Sequence, residues 1–138
     1  MIESLNTDQV HFVAILAKAA RTQRDEMLRR IKEQELAEVT TGRGEHNPTT
    51  MLGLEPVRSD AAPRAALQDA ITSVSPDARA ELYALMRIGQ GDLAAKKWHR
   101  GITDARLLGD ETISAALLED ADLHDHLLKG LYEANLAA

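Results

Sequence analysis

Between Pro63 and Ala134, capping signals cut the chain into segments of about a dozen residues, and this punctuation limits the fold more than any other feature. Ser75-Pro76-Asp77 reads as an N-cap, a proline at the first helical position and a first-turn acid. Gly89 is expected to close that helix, because glycine takes the left-handed position after a helix without a Cβ penalty. Gln90 and Gly91 then turn the chain, and Asp92 caps the next helix. Gly109-Asp110 and Asp120 repeat the pattern. Between caps, apolar residues recur at three- and four-residue steps: Leu67, Ile71 and Val74, then Ala78, Leu82, Leu85 and Met86, then Ala94, Trp98, Ile102 and Ala105. Ile113 and Leu117 follow, and the last segment carries Leu123, Leu127, Leu131 and Ala134. No stretch alternates apolar and polar residues as a half-buried strand does. The 22 alanines and 19 leucines, against 5 valines and 7 isoleucines, favour the same backbone, since β-branched side chains lose more rotamer freedom in a helix. The expected fold is all-α: a compact bundle of about five or six helices forming one domain over residues 1–138.

The N-terminal part differs in character. Thr7 is a candidate N-cap, and Val10, Val13, Ala17 and Ala20 form a stripe that Phe12, Ile15 and Leu16 are expected to widen. From Arg21 to Glu38 the sequence is dense in charge, with Asp25–Arg29, Glu26–Arg30 and Arg29–Glu33 at i,i+4, each pair contributing only ~0.2–0.5 kcal/mol. Met27, Leu28 and Ile31 keep a thin apolar seam through this stretch. One long, charged first helix over 7–38 is predicted. Residues 39–62 contain Gly42, Gly44, Pro48 and Pro56 and read as a loop-rich connection, with one short turn near Met51 to Leu54. Pro63 then suits the first turn of the next helix, which begins a helical core over 63–136.

Several function classes are disfavoured. The chain has no cysteine, which excludes disulfides, thiolate metal sites and cysteine nucleophiles. A formal charge of −6, with nine basic and fourteen acidic side chains in residues 47–138, opposes binding to nucleic acid or anionic lipid. No apolar run approaches the ~18 residues of a membrane span, and MIESLNTDQV lacks the zones of a signal peptide, so a cytoplasmic location is expected. Gly89-Gln90-Gly91-Asp92 lacks the third glycine or Lys-Ser/Thr of a phosphate loop, and Asp92 would repel an anion. His124 and His126 have i,i+4 partners in Asp120 and Asp122, which yields two-ligand clusters where zinc needs three or four. No metal or cofactor is expected. With no serine-nucleophile motif either, the chain reads as a non-enzyme.

Two surfaces remain as candidates for binding another protein. One is the seam of Met27, Leu28 and Ile31 on the first helix, suited to a partner helix or a second copy of the chain, although Arg24 interrupts its heptad core. The other is an acidic face with Asp120, Asp122 and Asp125. The expected function is a protein-interaction module acting by surface binding. One concrete form is an inhibitor or regulator of the kind phages and mobile elements encode against host defence, its acidic face competing with nucleic acid for a basic groove. The alternative is a helix-turn-helix DNA binder whose helix over 92–108 presents Lys96, Lys97 and Arg100 to a groove.

The string ELYALMRIGQGD (residues 81–92), the lone Trp98 and LLEDADLHDHLLKGL (residues 117–131) resemble a bacterial family known as domain of unknown function 3775. LNTDQVHFVAILAKAA (residues 5–20) and His46-Asn47-Pro48 sit where that family has its first helix and a loop with Asn-Pro, so the resemblance spans nearly the whole chain. It implies no activity. Arg87 stands where the family usually has tryptophan, and Gln90 where it has arginine. Glu119, Ala121 and His126 replace its usual glycine, proline and tyrosine. These departures imply a specialised relative.

Overall fold

A computed structural model describes residues 2–41 and 54–137, with side chains over 2–34 and 62–137. Among the described residues the chain forms six α-helices and no strand: α1 (Thr7–Thr41), α2 (Leu54–Ser73), α3 (Pro76–Gln90), α4 (Trp98–Leu108), α5 (Asp110–Glu119) and α6 (Leu123–Ala137). A 3₁₀ turn, Ala95–Lys97, precedes α4. The fold is an all-α bundle.

Helices α3 and α6 form its centre. Leu85 and Gly89 of α3 meet Gly130 and His126 of α6, so the two helices run antiparallel. At Gly89 an added Cβ would overlap the carbonyl of His126, and at Gly130 one would overlap the carbonyl of Leu85. Two glycines thus let the backbones touch. Around this pair α1 packs on α2 and α6, while α4 and α5 cover α3. Val10, Val13 and Ala17 of α1, Leu67 and Ile71 of α2, Leu82, Leu85 and Ile88 of α3, Leu117 of α5, and Leu123, Leu127 and Leu131 of α6 make one core. Each of these residues lies on a stripe that helical spacing marks out. Ile113 and Ala105, with Ala80, form a smaller cluster between α3, α4 and α5.

The turn between α2 and α3 is closed from both sides. Ser75 Oγ accepts a hydrogen bond from the Ala78 N–H at 3.2 Å, with Pro76 opening the helix. Arg79 reaches back to the end of α2, donating from Nε to the Ile71 carbonyl (3.1 Å) and from Nη2 to those of Thr72 and Val74. These carbonyls would otherwise lack partners at a helix C-terminus. Ser75→Ala is expected to lower unfolding free energy by about 1 kcal/mol, the usual worth of an N-cap. Urea denaturation measures it, and an unchanged midpoint would show that Arg79 alone holds the turn.

Helix boundaries depart from the expected ones in six places. Asn6, not Thr7, caps α1: its Oδ1 accepts from the Gln9 N–H at 2.8 Å and its own N–H donates to Gln9 Oε1 at 2.9 Å. Helix α1 continues three residues past Glu38. Helix α2 begins at Leu54, so the connection expected over 39–62 is helical in its last nine residues, and Pro63 lies inside a helix. A proline removes one ladder hydrogen bond, but propagation from an anchored C-terminal half adds one for every other residue. The part of that connection over 42–53, with the expected turn near Met51 and His46-Asn47-Pro48, lies outside the described residues. Gly89 is internal to α3, and the left-handed residue after it is Gly91, at φ 85°, whose N–H donates to the Ile88 carbonyl. Asp92 caps nothing: α4 starts only at Trp98, after the 3₁₀ turn. Gly109 rather than Asp110 occupies the N-cap position of α5.

Candidate functional site

Helix α1 is 35 residues long, which at 1.5 Å per residue gives roughly 50 Å. Among the described side chains its buried ones end at Ala17, and beyond it Gln23, Arg24, Glu26 and Met27 are half-buried. Of the expected seam, Met27 is half-buried, while Leu28 and Ile31 are 59% and 43% exposed.

The expected acidic face is divided in two by the fold. The Asp120 side chain is only 9% exposed and holds the junction of three elements. Its Oδ1 accepts from the Asp122 N–H at 2.9 Å, closing the turn before α6. Its Oδ2 hydrogen-bonds with His126 Nδ1 at 2.5 Å and accepts from Gln90 Nε2 at 3.3 Å. The imidazole pairing therefore differs from the i,i+4 expectation of Asp120 with His124 and Asp122 with His126. Because α6 starts at Leu123, residues 120–122 precede the helix and its register does not apply to them. His124 instead pairs with Asp125 at 3.0 Å. Gln90 and His126 meet on this one carboxylate. Arg87 pairs with Asp104 at 3.3 Å.

Asp122 and Asp125 are open to solvent but not free of partners. Arg21 Nη1 lies 2.8 Å from Asp122 Oδ1 and 3.8 Å from Asp125 Oδ2. The charged stretch of α1 and the acidic face, expected as separate surfaces, are joined by Arg21. Beside that contact Arg21, Arg24 and Arg64 surround a small pit of about 30 Å³ floored by Ala17, Ala20 and Leu67. Arg24 and Arg64 make no ion pair among the described residues.

Spacing misassigned one surface. Phe12 and Ile15, expected in the buried stripe of α1, are 57% and 63% exposed. At about 100° per residue, Phe12 sits some 160° around the helix from Val10, so the stripe of Val10, Val13, Ala14 and Ala17 already fills the core side. Phe12 and Leu16 form one wall of an open groove of about 710 Å³, and Ala66, Ala70 and Val74 of α2 form the other. Gln9, Asp69 and Ser73 edge it. Exposed large apolar side chains beside a groove are a signal that stripe counting overlooks.

Glu81 is a second residue that the spacing did not single out. It is 6% exposed and accepts from three successive backbone N–H groups: Oε1 from Glu3 (3.1 Å) and Leu5 (3.0 Å), Oε2 from Glu3 (3.2 Å) and Ser4 (3.1 Å). Its position was legible: Glu81 stands on the stripe of Ala78, Leu85 and Ile88, where a charge must find donors. Glu81 also lines a polar cleft of about 670 Å³ with Glu3, Asp77, Lys96, His99 and Arg106, across which Arg106 and Asp77 pair at 3.1 Å. Lys96, Lys97 and Arg100 are all exposed, the two lysines in the 3₁₀ turn and Arg100 in the first turn of α4.

Among the described residues no helix is long and apolar enough to cross a membrane. A family model described as a protein of unknown function, DUF3775, matches residues 64–136, from α2 through α6. No curated protein and no solved structure matches the chain.

Proposed function

This chain belongs to the DUF3775 family, and we propose that it is a protein-interaction module that works by surface binding and not by catalysis. The observation that carries this reading is the groove between α1 and α2, where Phe12 stands 57% exposed beside Leu16, Ala66, Ala70 and Val74. A furrow with an apolar floor and polar edges suits the apolar face of an amphipathic helix, with buried aromatics as the usual anchors. Inhibition or regulation is the narrower form of the same proposal, in which occupying the groove blocks or recruits a partner. In that form the acidic face contributes Asp122 and Asp125, while Asp120 serves the fold.

Phe12→Glu tests the proposal. An exposed side chain contributes little to stability, so unfolding free energy is expected to change by less than about 1 kcal/mol. Partner affinity is expected to fall at least tenfold, as for loss of an aromatic anchor. Affinity purification from the native host with the unaltered chain and the variant in parallel, followed by titration of the recovered partner, measures both. Partners retained equally by Phe12→Glu would sink the groove as the binding site.

The DNA-binding alternative keeps the exposed Lys96, Lys97 and Arg100 in its favour. The seven residues between Gln90 and Trp98 exceed the 3–4-residue turn of that motif, Asp104 lies on the helix itself, and Asp77 pairs with its Arg106. Duplex binding that survives moderate salt would revive it.

A further inference from the structure

The small pit between α1, α2 and the turn that opens α6 lies outside the groove and shares none of its residues. Ala17 and Ala20 leave it open, because neither side chain is long enough to fill the space in front of Leu67 of α2 and Leu118 of α5. Three arginines surround this apolar floor: Arg21 and Arg24, three residues apart on α1, and Arg64 on α2. In a chain of net charge −6, three guanidinium groups around one opening of about 30 Å³ are an unfavourable grouping. Like charges repel, and an apolar floor screens them less than water does.

Their partners within the chain leave much of that charge unmatched. Arg21 is shared among Asp122 at 2.8 Å, Asp125 at 3.8 Å and Asp25 at 3.9 Å. Arg24 is half-buried and Arg64 exposed, and neither makes an ion pair among the described residues. Asp120 is the acid in the lining. A carboxylate offers about four acceptor positions, and three of its own are taken by the Asp122 N–H, His126 Nδ1 and Gln90 Nε2. The lining therefore combines permanently charged N–H donors from two helices with one remaining acceptor position. A tetrahedral oxyanion that still carries a proton matches both. Phosphate at neutral pH is such an ion: its charged oxygens accept from guanidinium groups, and its O–H can donate to a carboxylate. Sulfate has the shape and charge without the proton, and acetate is planar and singly charged. We propose that this pit binds inorganic phosphate, with Arg24 and Arg64 clamping its oxygens, Arg21 contributing from the rim and Asp120 accepting its O–H. An opening of about 30 Å³ takes about two oxygen-sized groups, so two oxygens enter and the others stay at the mouth, where Arg64 is exposed.

NMR titration of the ¹⁵N-labelled full chain with inorganic phosphate, at an ionic strength held constant with sodium chloride, tests the site. The Nε–H signals of Arg24 and Arg64 are expected to shift along one saturable curve, with a dissociation constant of about 1 mM, the strength of a small ion held by a few charge-assisted bonds. Sulfate is expected to bind about fivefold more weakly and acetate more weakly still. Arg24→Gln and Arg64→Gln are each expected to raise the dissociation constant for phosphate about tenfold, whereas Lys97→Gln, outside the pit, changes nothing. Circular dichroism confirms that each variant keeps its helices, and the exposure of Arg64 makes its replacement mild for the fold. Shifts that drift without saturating up to roughly 50 mM phosphate, affinity unchanged in both arginine variants, or sulfate bound as tightly as phosphate would each overturn the proposal. Phe12→Glu leaves the phosphate curve unchanged, so failure here and failure of the groove are separable.

Discussion

Gly130→Ala is expected to destabilise the protein by about 3–5 kcal/mol, and Gly89→Ala by a similar amount. The sign is opposite to that of helix propensity. In an ordinary helix interior alanine is better than glycine by roughly 0.5–1 kcal/mol. At Gly130, however, the new methyl group would occupy the position of the Leu85 carbonyl, and at Gly89 that of the His126 carbonyl. Neither obstacle is the tip of a flexible side chain. To admit the methyl, α3 and α6 must separate, and the buried layer of Leu82, Leu85, Leu127 and Leu131 loses its fit along the whole contact. Gly101→Ala is the control, since its nearest obstacle is the end of the Leu93 side chain, which can rotate away. Its expected change is within about 1 kcal/mol of zero. Guanidinium unfolding of the three variants gives the comparison. If Gly130→Ala is as stable as the unaltered chain, the two helices are not in backbone contact.

Removing the Glu81 carboxylate has the second large effect. Glu81→Ala takes the acceptor from three N–H groups at once, and the one on Leu5 is buried with its side chain 3% exposed. A buried donor left without a partner costs about 1–3 kcal/mol, and bonds to a charged acceptor are worth more than neutral ones. The N–H groups of Glu3 and Ser4 are less enclosed and recover part of their loss from water. The net expectation is about 3 kcal/mol, with Leu5 released from the core. Glu81→Gln keeps one carbonyl oxygen but turns an NH₂ group towards N–H donors, so it is expected to fall between the two. Hydrogen exchange reports the local event: the Leu5 amide should lose its protection in Glu81→Ala while amides in the middle of α3 keep theirs. Equal protection at Leu5 in both proteins would show that the N-terminal segment is held by its apolar contact alone.

Both residues show how much the sequence reveals. Gly89 was read as a helix end because it precedes a glutamine and a second glycine, and a helix stop is the commonest use of glycine in that context. The alternative, a glycine kept for close approach, depends on α6, which lies more than thirty residues away along the chain. Glu81 was open to inference, since a carboxylate on an apolar stripe needs donors, but nothing in the spacing says that the donors are the amides of residues 3–5. The same holds for Asp120. A polar role near the start of α6 was legible, although Asp120 closes the turn before that helix and does not cap it, and its contacts with Gln90 and His126 arise only because α3 ends beside this turn. Phe12 and Ile15 were misassigned for a geometric reason: hydrophobicity shows what a side chain prefers, and only the placement of α2 decides whether the space beside it is filled.

What the sequence determined by itself is local. Helix content, the Ser75 cap and most of the core stripes follow from backbone preference and from spacing within a dozen residues, where each residue's neighbours are known in advance. What only the tertiary structure decided is every feature requiring two distant segments to meet: the glycine-mediated crossing of α3 and α6, the burial of Glu81 under residues 3–5, the joining of Arg21 to the acidic turn, and the open groove between α1 and α2. Such contacts depend on crossing angles and offsets that many sequences with the same stripes would satisfy differently, so packing selects among arrangements that local preference leaves equal.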